Sequence, residues 1–194
     1  MSDFTSARRA GLVRRLQTIA VLLDRVAETT GRIIAWLTLG MVLITFTVVV
    51  LRYLFETGSI ALQESVTYLH AAVFMLGAAY TLKHDGHVRV DILYQKFTPR
   101  ARAWVDLLGT LLLLFPVCLF ILFASLGYVA DSWSIQEGSR EAGGLDAVFL
   151  LKTAIPVMAV LLLLQGCSIL LHQLLLLAGH AVPAAADAGL DREL

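Results

Sequence analysis

The chain has 194 residues, 58% hydrophobic and 15% charged, with a mean hydropathy of +0.79. A soluble domain carries about 25% charged residues, so this composition excludes an ordinary water-facing surface and points to an integral membrane protein. Fifteen basic and fifteen acidic residues cancel, which argues against a nucleic-acid partner, because phosphate binding needs a basic excess.

Residues 1–30 form a basic segment. From residue 11 onward Leu12, Leu16, Ile19, Leu23, Val26 and Ala27 recur at helical spacing, with Arg14, Arg15, Asp24, Arg25 and Glu28 largely on the other side. That pattern predicts an amphipathic helix at the membrane interface, leading into the first span. A cleavable signal is not expected, because Asp24, Arg25 and Glu28 interrupt the run after the arginines and no small-residue cleavage site ends it.

Residues 31–178 hold four apolar runs, at about 33–52, 65–82, 107–130 and 153–178. Each approaches or exceeds the roughly 20 residues that cross a bilayer. The predicted fold is therefore an all-α membrane protein with four transmembrane helices plus amphipathic interfacial helices. Ser59 is placed to cap the second helix. Ala71, Ala72, Gly77, Ala78 and Ala79 give that helix a smooth face for close packing. After it, apolar residues from Val90 to Leu108 alternate with Arg89, Lys96, Arg100 and Arg102, predicting a short interfacial helix at about 88–97. Thr98-Pro99 reads as an N-cap followed by proline at the first helical position. Pro116 is expected to kink the third span by removing a backbone hydrogen bond. Trp36, Trp104 and Trp133 suit interface anchoring. Residues 179–194 read as an alanine-rich, partly disordered tail.

Basic residues set the orientation. Eleven Lys and Arg fall in residues 1–32 and 83–106, against Arg52, Arg140 and Lys152 on the opposite side. The positive-inside rule puts both termini and the 83–106 connection in the cytoplasm.

Between their flanking charges the four runs contain no Asp, Glu, Lys or Arg, which argues against a proton-coupled exporter needing a buried carboxylate. His70 and His172 suggest a bis-imidazole haem, but at about 1.5 Å per residue their depths differ by about 20 Å, too far to share one iron. Cys118 and Cys167 lie in separate runs without metal-ligand spacing. No nucleophile–base pair or phosphate-binding loop is present, so no enzyme, metal or cofactor is expected.

One stretch carries a resemblance. Gln63-Glu64 opens the second span, Gly77 and Ala78-Ala79 sit near its far end, and Gly86-His87-Val88-Arg89-Val90-Asp91 follows. This resembles the small membrane subunit of tripartite ATP-independent periplasmic (TRAP) transporters, the DctQ type, over about residues 30–178. Ser65 departs from the family's second acidic position. Asp106-Leu107-Leu108-Gly109 and a proline-containing start to the last span also fit.

The resemblance implies a bacterial inner-membrane scaffold that packs against a large transport subunit and helps dock a periplasmic solute-binding protein, for sodium-coupled uptake of an organic acid. Sodium is then expected at the large subunit, not here. Glu64, Gly86, His87, Arg89 and Asp91 are the expected partner-subunit contacts, with Gly86 permitting a tight turn and Glu64 either positioning its helix or matching the helix dipole. Arg52, Glu56, Glu137, Arg140 and Glu141 are candidates for binding-protein docking. The alternative is a membrane anchor or assembly subunit of a redox or respiratory complex.

Overall fold

The first helix is far longer than a membrane crossing requires. In the computed structural model, which describes residues 2–87, 94 and 96–180 with side chains from residue 10 onward, α1 runs unbroken over Ser2–Leu54. Its 53 residues extend about 80 Å at 1.5 Å per residue, against a hydrocarbon core of about 30 Å. The expected amphipathic segment and the first span are thus one continuous helix. No proline or glycine pair interrupts residues 12–54.

α2 is Ile60–Lys83 and begins where expected, with the Ser59 hydroxyl accepting from Leu62 N–H at 3.4 Å. α3 is Pro99–Gly109, capped by Thr98, whose hydroxyl accepts from Ala101 N–H at 3.3 Å. A π-helical turn, Thr110–Leu114, joins it to α4, Phe115–Ser134. α5 is Val148–Leu177. Four helical stretches are long and apolar enough to cross a membrane, and no strand occurs among the described residues.

The disturbance expected at Pro116 takes the form of a π-helical turn. The turn before it widens, and Phe115 N–H bonds to the Thr110 carbonyl, five residues back. A proline that cannot donate to the preceding turn is accommodated by a π-bulge. The bulge presses Leu114 and Phe115 into α5 at Gly166, where an added Cβ would lie 2.6 Å from Phe115 Cε1.

α5 is the hub: it packs against α1, α2, α3 and α4, while α1 packs against α2 and α5. α1 and α2 run antiparallel. Gly31 meets Tyr80, Gly40 lies opposite Leu69, and Glu28 reaches Lys83. A methyl group at Gly31 would overlap the Tyr80 side chain, so glycine there sets how closely the helices approach.

The buried face of α1 takes in one residue that the helical pattern sets on the polar side, Asp24. Ala20, Asp24, Ala27 and Ile34 are buried, at spacings of three, four and seven. Leu12, Ile19, Leu22 and Val26 are exposed. In lipid the large apolar residues can face outward, and small or hydrogen-bonded residues line the helix contacts. Asp24 accordingly belongs to the packed face.

Candidate functional site

Polar chemistry gathers at the two ends of the bundle. At the loop end, residues 135–147 connect α4 to α5. α4 closes at Gln136, a non-glycine residue with φ +45°, and Glu137 N–H bonds to the Ser132 carbonyl at 3.0 Å. This is the left-handed termination of a helix. The loop then folds on itself: Ser139 N–H donates to the Leu145 carbonyl at 3.0 Å, and Gly144 N–H to the Glu141 carbonyl at 3.0 Å.

Glu64, on α2, fastens this loop. One carboxylate oxygen accepts from the Ser139 hydroxyl and the other from Leu145 N–H at 2.7 Å. Glu64 lies beyond the first turn of α2, which contains no acidic residue. A helix-dipole role is therefore replaced by a tie to a segment 81 positions away.

Glu137 is equally committed. It accepts from the Ser132 hydroxyl at 2.7 Å and from the Lys152 ammonium. Lys152 also lies 4.0 Å from the centre of the Tyr128 ring, a cation–π contact. The Lys152 hydrogen bond, then that of Ser132, holds the Glu137 carboxyl below its ordinary range. Trp133 Nε1–H donates to the Thr153 hydroxyl at 2.9 Å, and its ring meets Phe149 edge-on at 4.6 Å. Between these elements lies a cavity of about 510 Å³ lined in part by Glu64, Tyr68, Tyr128, Glu137, Arg140 and Lys152. The Tyr68 hydroxyl is buried there without a hydrogen-bond partner. Arg52, Glu56, Arg140 and Glu141 are exposed at this end.

At the opposite end, beside the 84–98 connection, three carboxylates each join distant elements. Asp24 Oδ1 accepts from the Ser168 hydroxyl at 2.5 Å and from Gln165 Nε2 at 3.1 Å. The same hydroxyl lies 3.2 Å from the Ala20 carbonyl. His172 Nε2 is 3.5 Å from Asp24 Oδ2, outside hydrogen-bond geometry. Glu28 binds Lys83 Nζ at 2.7 Å, Arg32 Nε at 2.8 Å and His84 Nε2 at 2.9 Å. Asp106 accepts from the Tyr94 hydroxyl at 2.7 Å and from Gln173 Nε2 at 3.4 Å.

The Asp24 cluster was hidden in the sequence. Asp24 lies outside the apolar runs as bounded, yet it packs against Gln165 and Ser168 in the middle of the last one. The signal available was its place in the stripe Ala20, Asp24, Ala27, Gly31, Ile34.

In the hexapeptide region, Gly86 N–H bonds to the Thr81 carbonyl at 2.9 Å. The left-handed residue of this turn is Asp85, with φ +52°, so the conformational freedom expected of Gly86 is exercised one residue earlier. Gly86 and His87 are exposed. Arg89, Asp91 and most of the expected 88–97 helix lie outside the described residues. No group of three or more His, Cys, Asp or Glu placed to hold a metal occurs among the described residues. His70 is exposed, as is Cys167, while Cys118 is buried.

Neither a curated protein nor a solved structure matches the chain. The sequence model described as "Tripartite ATP-independent periplasmic transporters, DctQ component" matches residues 41–176, a range that holds most of the bundle, the Glu64-fastened loop and the 84–98 connection. The chain therefore belongs to the DctQ family, the small membrane subunit of TRAP transporters, a multi-pass component of the inner membrane.

Proposed function

We propose that this chain is the fixed scaffold of its TRAP transporter. The family works with a large membrane subunit and a solute-binding protein. In this reading both termini and the 84–106 connection lie in the cytoplasm, as the excess of basic residues supports. The loop end then faces the periplasm, and Arg52, Glu56, Glu137, Arg140 and Glu141 help receive the binding protein. Gly86, His87, Arg89 and Asp91 lie along the large subunit at the inner interface. Glu64 contributes indirectly, by shaping the loop. Solute and sodium are held by the large subunit, the transported solute is an organic acid, and this chain needs no cofactor of its own.

The observation that carries the reading is where the polar side chains go. Asp24, Glu28, Glu64, Asp106 and Glu137 are each engaged by partners within the chain. Polar groups spent on joining helices describe a support better than a solute path. A cross-link tests this. Gly40 and Leu69 face each other across α1 and α2, 3.9 Å from an added Cβ to Leu69 Cδ1. Joining Gly40→Cys to Leu69→Cys in the assembled transporter is expected to leave solute uptake within twofold of the reduced control. Loss of uptake on cross-linking, restored by reduction, would show that α1 and α2 must move and would overturn the scaffold role.

A further inference from the structure

The exposed side of the N-terminal half of α1 is divided lengthwise. Leu12, Ile19 and Val26 follow one another at seven-residue intervals, with Leu22 beside them, all between 41% and 58% exposed. Alongside runs a second strip, Arg14, Thr18, Val21 and Arg25, also exposed. Arg14 and Arg25 close the ends of a shallow cleft of about 360 Å³, which Gln17, Thr18, Val21 and Leu22 complete. Arg15 is exposed on the same side.

Acidic side chains are missing from this surface for a structural reason. Asp24, the one acid between residues 10 and 27, is turned into the bundle against Ser168 and Gln165. Glu28, one turn on, is drawn to Lys83 and His84. The packing that buries Asp24 and engages Glu28 leaves the outward side of residues 10–26 without an acid, beside an apolar strip continuous with the exposed Ile33 and Trp36 of the span.

We propose that this strip of α1 is a binding site for anionic phospholipid. The Arg14 and Arg25 guanidinium groups attract the phosphodiester, and the strip of Ile19, Leu22 and Val26 meets the upper acyl chains. Charge complementarity selects the anion, since guanidinium suits phosphate oxygens. The apolar strip selects a lipid over free phosphate, because arginine stems and aliphatic side chains together match the boundary between headgroups and acyl chains. This rests on the reading that places the amino-terminal end at the cytoplasmic interface, where anionic lipid attracts basic segments.

The test uses the purified full-length chain in neutral detergent, titrated with phosphatidylglycerol or with phosphatidylcholine of the same acyl chains, bound lipid being counted by native mass spectrometry. The wild type is expected to prefer phosphatidylglycerol. Arg14→Gln/Arg25→Gln is expected to bind it roughly thirty-fold more weakly, the factor that about 1 kcal/mol per arginine represents. Arg100→Gln, an exposed basic residue on another helix, is expected to change binding less than twofold. An unchanged preference in the double variant, or an equal loss in Arg100→Gln, overturns the proposal. So does displacement of the lipid by millimolar inorganic phosphate, which would mark a simple anion site. A bromine-labelled phosphatidylglycerol that quenches a probe at Leu22→Cys in the isolated chain but not in the transporter would assign the strip to a partner helix and refute it. Orientation is read separately, from labelling of Arg140→Cys in intact cells, so a failed lipid assay and a failed topology remain distinct.

Discussion

Ser168→Ala should loosen the joint between α1 and α5 by an amount the structure allows to be bounded. Ser168 is fully buried, and its hydroxyl donates to Asp24 Oδ1 at 2.5 Å, with the Ala20 carbonyl as second acceptor at 3.2 Å. A hydrogen bond to a charged group is worth about 1.5–3 kcal/mol in a soluble protein. Inside membranes, side-chain hydrogen bonds between helices average about 0.6 and reach about 1.7 kcal/mol. The short contact and the charged acceptor place Ser168 toward the upper end, at about 1.5 kcal/mol. After Ser168→Ala the carboxylate keeps one neutral donor, Gln165 Nε2 at 3.1 Å, and the His172 ring. In an Asp24→Ala background the Ser168 hydroxyl falls back on the Ala20 carbonyl, so the same substitution should cost only about 0.5 kcal/mol. The coupling energy of the double-mutant cycle is thus about 1 kcal/mol. Reversible unfolding in mixed micelles, measured for the four proteins of the cycle, gives this number. Additivity within about 0.3 kcal/mol would mean that Asp24 and Ser168 do not recognise each other, and the reasoning would fail.

Two glycines make a matched comparison. Gly31→Ala should destabilise the isolated chain by about 1–3 kcal/mol, because the new methyl overlaps the Tyr80 side chain and α1 and α2 must separate. Gly77→Ala meets nothing within 4 Å and should be neutral or stabilising by up to about 1 kcal/mol; equal effects of the two in thermal unfolding would contradict the close approach. Glu64→Ala strips both acceptors from the 139–145 loop, and exchange of the Leu145 amide should accelerate severalfold; unchanged protection would place the loop's anchor elsewhere. Acid should release the other end of this loop. The Glu137 carboxyl is held below its ordinary value of 4.5, chiefly by Lys152. Its contribution is fully present above that value and lost as pH falls through the depressed folded value. Protection of the Phe149 amide, which donates to the Glu137 carbonyl at 3.4 Å, should therefore fall on acidification in the wild type and be flatter with pH in Glu137→Gln.

Elements that depend on local chemistry were legible in the sequence. The apolar runs gave the four spans, and Ser59 and Thr98-Pro99 gave two helix starts, because a cap is written within four residues. What depends on the environment was not. The helical pattern of α1 sets Asp24 among the polar side chains, yet Asp24 is buried with Ala20 and Ala27, while Leu12, Ile19 and Val26 are exposed. Lipid removes the penalty that would drive the larger residues inward. What depends on distant partners was also hidden. Glu64 reads as an isolated charge near a helix start until the chain returns with Ser139 and Leu145. Pro116 announced a disturbance, but the π-turn before it also involves the packing of its neighbours Leu114 and Phe115 against Gly166 of α5.

The same absence of a hydrophobic drive between helices explains why the polar joints matter. Apolar surfaces in lipid slide past one another at little cost, so helix register must come from close small-residue contacts and hydrogen bonds. α1 is held in register by both: Gly31 against Tyr80, Glu28 on Lys83, and Asp24 on Ser168. A slide of α1 by one helical turn, about 5.4 Å, would move Asp24 away from Ser168 and Glu28 away from Lys83 together, and drive residues larger than glycine into Tyr80. These costs fall at once, so the bundle has no obvious intermediate position to rest in. Register fixed at several points at once is what the proposed scaffold role asks of α1, α2 and α5.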